Sequence, residues 1–233
     1  MTTPGAPFRV TFAMTHPVQY YSPWFRYIAG RCPDIDLNVI YATVPTPSQQ
    51  GVGFGTSFEW DTSPLDGYEY EILRPAKESD YLHSDKPFGL YVPEIGPALK
   101  KAKPDAVVVP GWYSVTLIHA LTVSRLYGLP CIYRGDTPLP RTGAKRNAGW
   151  EMKTRVMLSF FSAFLTVGRR NREYLKHFGI ADPQIHFAPD CVDNDLFRKT
   201  SESSRTVEGR RSARERLGVS EDAFAVLFVG KLD

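Results

Sequence analysis

Residues 104–136 constrain the fold most. The run Asp105-Ala-Val-Val-Val-Pro-Gly-Trp-Tyr-Ser114 begins apolar and breaks at Pro110-Gly111, as a short buried strand does at a turn. Ser114 is then placed to cap a helix running to about Tyr127, since a serine hydroxyl accepts from free amides of a first helical turn. Gly128-Leu-Pro130 stops that helix, and Cys131-Ile-Tyr133 starts a second strand ending in Arg134-Gly-Asp136. Strand, helix and strand in this spacing form a parallel unit, which predicts an α/β chain with an open parallel sheet and helices on both faces. Ligands of such sheets bind beyond the carboxyl ends of the strands. Here those ends carry Gly111-Trp112-Tyr113 and Arg134-Gly135-Asp136.

The stretch 106–124 has no charged residue and is about long enough to span a bilayer. Pro110-Gly111 in its middle, followed by Tyr, Ser, Thr and His, argues instead for a strand and then a soluble helix. A net charge of +3 over 233 residues is too small to imply a nucleic-acid partner. Cys32, Cys131 and Cys191 are odd in number, far apart and without a C-x-x-C. That pattern predicts a reducing compartment and no zinc site. The first residues lack the basic and apolar regions of a signal peptide.

Strands are expected over Phe8–Met14, Ile35–Tyr41, Tyr68–Leu73, Ala163–Val167 and Ile185–Ala188, as well as in the central unit. Ser22-Pro23 reads as a cap and first residue of the first helix. Further helices are expected over Val92–Lys103, Trp150–Ser162 and Arg169–Phe178, the last closed by Gly179. The segment from Ala42 to Gly67 is long and turn-rich, as functional loops often are. From Arg198 to Val219 the chain turns polar, with Ser201–Ser204 reading as linker and Glu208–Leu217 as a charged helix. Ala223-Phe-Ala-Val-Leu-Phe-Val229 reads as a further buried strand, and such a strand needs neighbours on both sides. The expected organisation is a domain over 1–198, a linker over 199–222 and the start of a second domain over 223–233.

The segments His16-Pro-Val-Gln-Tyr20, Trp60-Asp61 with Leu65-Asp-Gly-Tyr68, Gly111-Trp112, Arg134-Gly-Asp136, Val167-Gly-Arg-Arg-Asn-Arg-Glu-Tyr174, Pro189-Asp-Cys-Val-Asp-Asn194 with Phe197, and Phe228-Val-Gly-Lys231 stand in this order along the chain. Together they resemble the N-terminal half of family 4 glycosyltransferases, which have the two-domain GT-B fold built from Rossmann-like halves. The resemblance implies retaining transfer of a hexose from a nucleotide-sugar to a glycan, lipid-linked or small-molecule acceptor. This chain would carry the acceptor side, with the donor held mainly by a C-terminal domain. The family's paired-glutamate motif is not among these residues, so the isolated chain is expected to be inactive and to bind nucleotide-sugar poorly. It implies no metal and no cofactor beyond the donor. It also implies a cytoplasmic location, with peripheral contact at the inner membrane face. A non-catalytic carbohydrate-binding or interaction module is the other class that fits.

Cleaving a sugar–diphosphate bond leaves negative charge on phosphate, which fixed cations stabilise. Lys231 and Arg134 are the catalytic candidates, although Arg134 could equally pair with Asp136 and hold a strand end. The substrate-binding candidates are His16, Gln19, Tyr20, Gly111, Trp112, Asp136, Asn171 and Asp193. His16 could instead cap its loop, Tyr20 cover the first helix and Trp112 pack in the core. Asp193-Asn194 could equally make a turn. Lys145, Arg146, Lys153 and Arg155 flank Trp150, Phe160 and Phe161, which suits either a helix packed on the sheet or one lying on an anionic membrane.

Overall fold

The computed structural model describes residues 5–52, 55–82, 86–139 and 148–228. Seven parallel strands form one sheet: β1 Phe8–Met14, β2 Ile35–Tyr41, β3 Tyr70–Ile72, β4 Ala106–Val109, β5 Cys131–Gly135, β6 Ala163–Thr166 and β7 Ile185–Phe187. Their order is β3-β2-β1-β4-β5-β6-β7. The chain therefore winds outward one way from β1, then crosses over and winds the other way from β4. The reversal lies between β1 and β4, which pair from Val10↔Ala106 to Phe12↔Val108. This is the Rossmann-like architecture expected from the strand–helix–strand unit.

The alternation along each central strand shows that both faces are buried. Val107 and Val109 join one core cluster with Ala13, Ile40, Leu99, Leu117 and Leu121, while Val108 joins another with Phe12, Met14, Phe25 and Tyr41. The helices supply the covering: α1 Ser22–Arg31, the single turn α2 Pro47–Gln50, α3 Ile95–Ala102, α4 Val115–Leu126, α5 Ala148–Leu158 and α6 Arg169–His177. Ser114 caps α4 as predicted, its Oγ accepting from Thr116 N at 3.3 Å. Ser22 does not cap α1: Tyr21 holds the cap position without a side-chain bond, and the Ser22 hydroxyl donates to Pro64 O at 2.6 Å. No helix among the described residues is long and apolar enough to cross a membrane.

Part of the long segment after β2 is braced. Thr46 and Gln49 form a reciprocal cap on α2, and Gln49 Nε2 donates to Lys77 O at 2.8 Å. Arg74 donates two bonds of 2.7 Å to the Asp80 carboxylate, which also accepts from Lys77 N. Burial alone would raise the Asp80 carboxyl, but the Arg74 and Lys77 hydrogen bonds outweigh it and hold the group below its ordinary value. A depressed folded-state value makes this contribution complete above the unfolded carboxyl's pKa of about 3.9 and lost as pH falls through the folded value. We expect Asp80→Asn to cost about 2 kcal/mol at pH 7. In urea titrations the difference from wild type should shrink below about pH 4; a difference constant with pH would refute the assignment.

A second compact unit begins at Val192. It contains α7 Asn194–Ser204 and α8 Val207–Arg216. Ser201–Ser204 are the last residues of α7, which the Asp193 carboxylate starts by accepting from Leu196 N at 3.0 Å. The strand expected over 223–229 is not formed among its described residues: Phe224 is 94% exposed and Phe228 71%. A strand is held by ladder partners and a covered face, and 223–228 has neither.

Candidate functional site

A cleft of about 310 Å³ opens at the carboxyl ends of the central strands. Its floor comes from Met14 at the end of β1, Gly111-Trp112-Tyr113 after β4, and Arg134-Gly135-Asp136-Thr137 at the end of β5. Trp150, Lys153, Tyr174 and Asp190 supply further wall. The cleft thus lies beside the strand-order reversal, where an open parallel sheet leaves a crevice.

Two glycines shape the floor. Gly111 has φ +81°, a conformation that glycine adopts without a side-chain clash; it turns the chain so that Trp112 and Tyr113 follow along the cleft. At Gly135 a Cβ would clash with Tyr133 Oη and Cζ. The Tyr133 ring therefore fills the space a side chain at 135 would need. That ring packs at 5.4 Å on Phe161, 5.8 Å on Trp112 and 5.9 Å on Phe164.

Arg134 is the charged centre. It is only 3% exposed, and its Nη2 donates to Asp190 Oδ1 at 2.6 Å. Its guanidinium carbon stands 5.4 Å from the Trp24 ring and 5.6 Å from the Tyr21 ring. Of the alternatives, the pairing with Asp136 is not the one formed: Arg134 bonds Asp190, which lies three residues past the end of β7, while Asp136 is exposed on the cleft wall. Burial raises the phenols of Tyr113 and Tyr133, and pushes Tyr174 up to about 12. At neutral pH all three are protonated and can donate hydrogen bonds.

The remaining expected site residues divide. Tyr20, Gly111, Trp112, Arg134 and Asp136 meet in the cleft. His16 and Gln19 are not in its lining; His16 Nδ1 lies 2.9 Å from Thr15 Oγ1, which also bonds Tyr113 Oη at 2.8 Å. Asn171 is buried behind the cleft, its Nδ2 donating to Thr137 O at 2.9 Å and bracing the loop after β5. Asp193 caps α7 in the second unit, its carboxylate accepting from Leu196 N. Lys231, His83, Arg141, Lys145 and Arg146 lie outside the described residues. Trp60 lines a smaller hollow of about 240 Å³ with Pro17, Val44 and Phe58, over the ends of β1 and β2. Trp150 packs on Phe178 at 5.6 Å and Phe161 is buried, so aromatic residues of this segment serve the core. Tyr133, Thr137, Tyr174 and Asp190 line the cleft without having been among the site candidates, although Tyr174 and Asp190 fall within the segments that carry the resemblance. Among the described residues no cluster of three or more His, Cys, Asp or Glu could hold a metal.

No protein-family model matches the chain, and no curated protein sequence matches it. Solved structures do. UDP-GlcNAc 2-epimerase from Neisseria meningitidis, bound to UDP-GlcNAc, superposes with TM-score 0.54 at 13% identity, over 92% of this chain and 54% of that one. The UDP-N-acetylglucosamine 2-epimerase of Rickettsia bellii gives 0.55 at 12%, over 92% and 52%. Anabaena Alr3699/HepE, in complex with UDP and glucose, gives 0.55 at 9%, over 91% and 50%. The chain spans about half the length of these structures. At such identities the likeness establishes the fold: a Rossmann-like half of the GT-B type.

Proposed function

We propose that this chain is the acceptor-side half of a retaining glycosyltransferase that takes its sugar from a nucleotide-sugar. The observation that carries this is the cleft: aromatic rings, neutral phenols, two carboxylates and a buried arginine, gathered where β1, β4 and β5 end. Tyr20 and Trp112 offer faces for a sugar ring. Asp136 and Thr137 are placed to bond its hydroxyls, with Asn171 holding their loop from behind. His16 and Gln19 belong to the loop after β1, whose Val18 and Tyr20 line the cleft. Arg134 supplies fixed positive charge for the departing diphosphate. In a water-poor cleft, charges already in position stabilise the transition state most. Three unpaired thiols favour a cytoplasmic setting.

The fold matches favour a second reading, because two of the three proteins above are nucleotide-sugar 2-epimerases. One experiment separates the two. The chain, together with the donor-binding half that the reading proposes, is incubated with UDP-glucose, UDP-galactose and UDP-N-acetylglucosamine, with and without a mixture of glycan and lipid-linked acceptors. Acceptor-dependent release of UDP supports transfer. Conversion of the donor to its C2 epimer without acceptor supports epimerisation and rejects our first reading.

A further inference from the structure

The Nε/Nη2 edge of the Arg134 guanidinium is only half used. In its planar fork, Nε–H and one Nη2–H point the same way, spaced to meet two oxygens of one anion. Nη2 is taken by Asp190 Oδ1 at 2.6 Å, while Nε is buried with no hydrogen-bond partner. A buried donor left unpaired is costly, and more so on a charged group. The Tyr21 and Trp24 rings pack against the guanidinium, so the fork is held in place. Asp190 is the yielding partner: it is 49% exposed and sits two residues before the second compact unit begins. Once displaced, its carboxylate can return to water.

We propose that Asp190 is an internal counter-ion that a substrate oxyanion displaces from the Nε/Nη2 edge of Arg134. The incoming group makes both bonds where Asp190 makes one. The oxyanion is either a phosphate of the donor or a carboxylate of an acidic acceptor, and Asp190 sets how readily the cleft admits it. This rests on the cleft being the substrate site, as proposed above.

The test is calorimetric titration of the whole chain with pyrophosphate and, separately, with glucuronate. In Asp190→Asn the fork loses its competing charge but keeps a neutral acceptor. One charge-assisted bond freed from competition corresponds to at least a ~10-fold gain in affinity. We expect that gain for one of the two probes, and its identity tells whether phosphate or carboxylate is the natural occupant. Binding should also raise the Tm of Asp190→Asn more than that of wild type. Arg134→Lys in the Asp190→Asn background keeps the charge without the fork, and should abolish the gain. Equal or weaker binding of both probes by Asp190→Asn would overturn the proposal, as would a gain that survives Arg134→Lys. Sugar transfer plays no part in this readout, so a chain that exchanges anions but transfers no sugar contradicts the functional reading alone.

Discussion

On the reading proposed above, replacing Arg134 with glutamine is expected to lower the turnover of the transferase about 100-fold. Glutamine preserves a hydrogen-bond donor but removes the charge proposed to stabilise the departing diphosphate. Charge stabilised as it develops in the transition state appears in kcat, and the loss of the fork's contact with the bound oxyanion adds a rise in KM. The fold should survive. The buried charge leaves with the arginine, and its partner Asp190, already half exposed, is solvated by water instead. Unchanged far-ultraviolet circular dichroism with a collapsed kcat is the expected pair of results. A kcat within about three-fold of wild type, a difference worth well under 1 kcal/mol, would remove Arg134 from the chemistry.

Gly135→Ala should be the most damaging small substitution in the cleft, costing about 3 kcal/mol. The new methyl would occupy the place of the Tyr133 ring, and that ring is wedged among Phe161, Phe164 and Trp112. It cannot swing aside without opening the core beneath the cleft floor. The urea midpoint should fall by about 1 M for a chain of this size. Adding Tyr133→Phe removes the nearest clashing atom but leaves the ring, so it should restore only part of the loss. Alanine tolerated without a shift in midpoint would mean that the ring is free to move.

These two residues also show what the sequence makes legible. Arg134 and Gly135 follow a short apolar run that can only be a strand, and the carboxyl-end rule then aims them at a crevice. The same rule finds Gly111 and Trp112. Tyr133 was open to the same logic, because it alternates with Gly135 on one face of β5. Asp190 was not, since its partner lies 56 residues away across an intervening strand. Only the order of β5, β6 and β7 brings the two together. His16 and Gln19 show the reverse: a strand-end position indicates the correct edge of the sheet, but the turn decides which side chains face inward, and there Val18, Tyr20 and Tyr21 do. Asn171 sits behind the cleft because it begins a helix one strand further on, where its amide can reach the Thr137 carbonyl. At 223–228 an apolar run carries a strand signal but no ladder, since hydrogen-bonding partners come from tertiary structure and not from the run itself.

The four tryptophans allow the central claim to be measured directly. Trp112 and Trp150 line the cleft, and Trp60 lines a separate hollow. The indole N–H signals can be followed by ¹H–¹⁵N NMR and assigned by single Trp→Phe substitutions. They would be titrated with UDP-glucose, UDP-N-acetylglucosamine and methyl hexosides, to millimolar concentration where binding is weak. If the carboxyl-end cleft is the substrate site, the Trp112 and Trp150 signals shift with saturation while Trp60 stays still. Movement of Trp60 alone, or no movement of Trp112 and Trp150 with any of these ligands, would contradict the account.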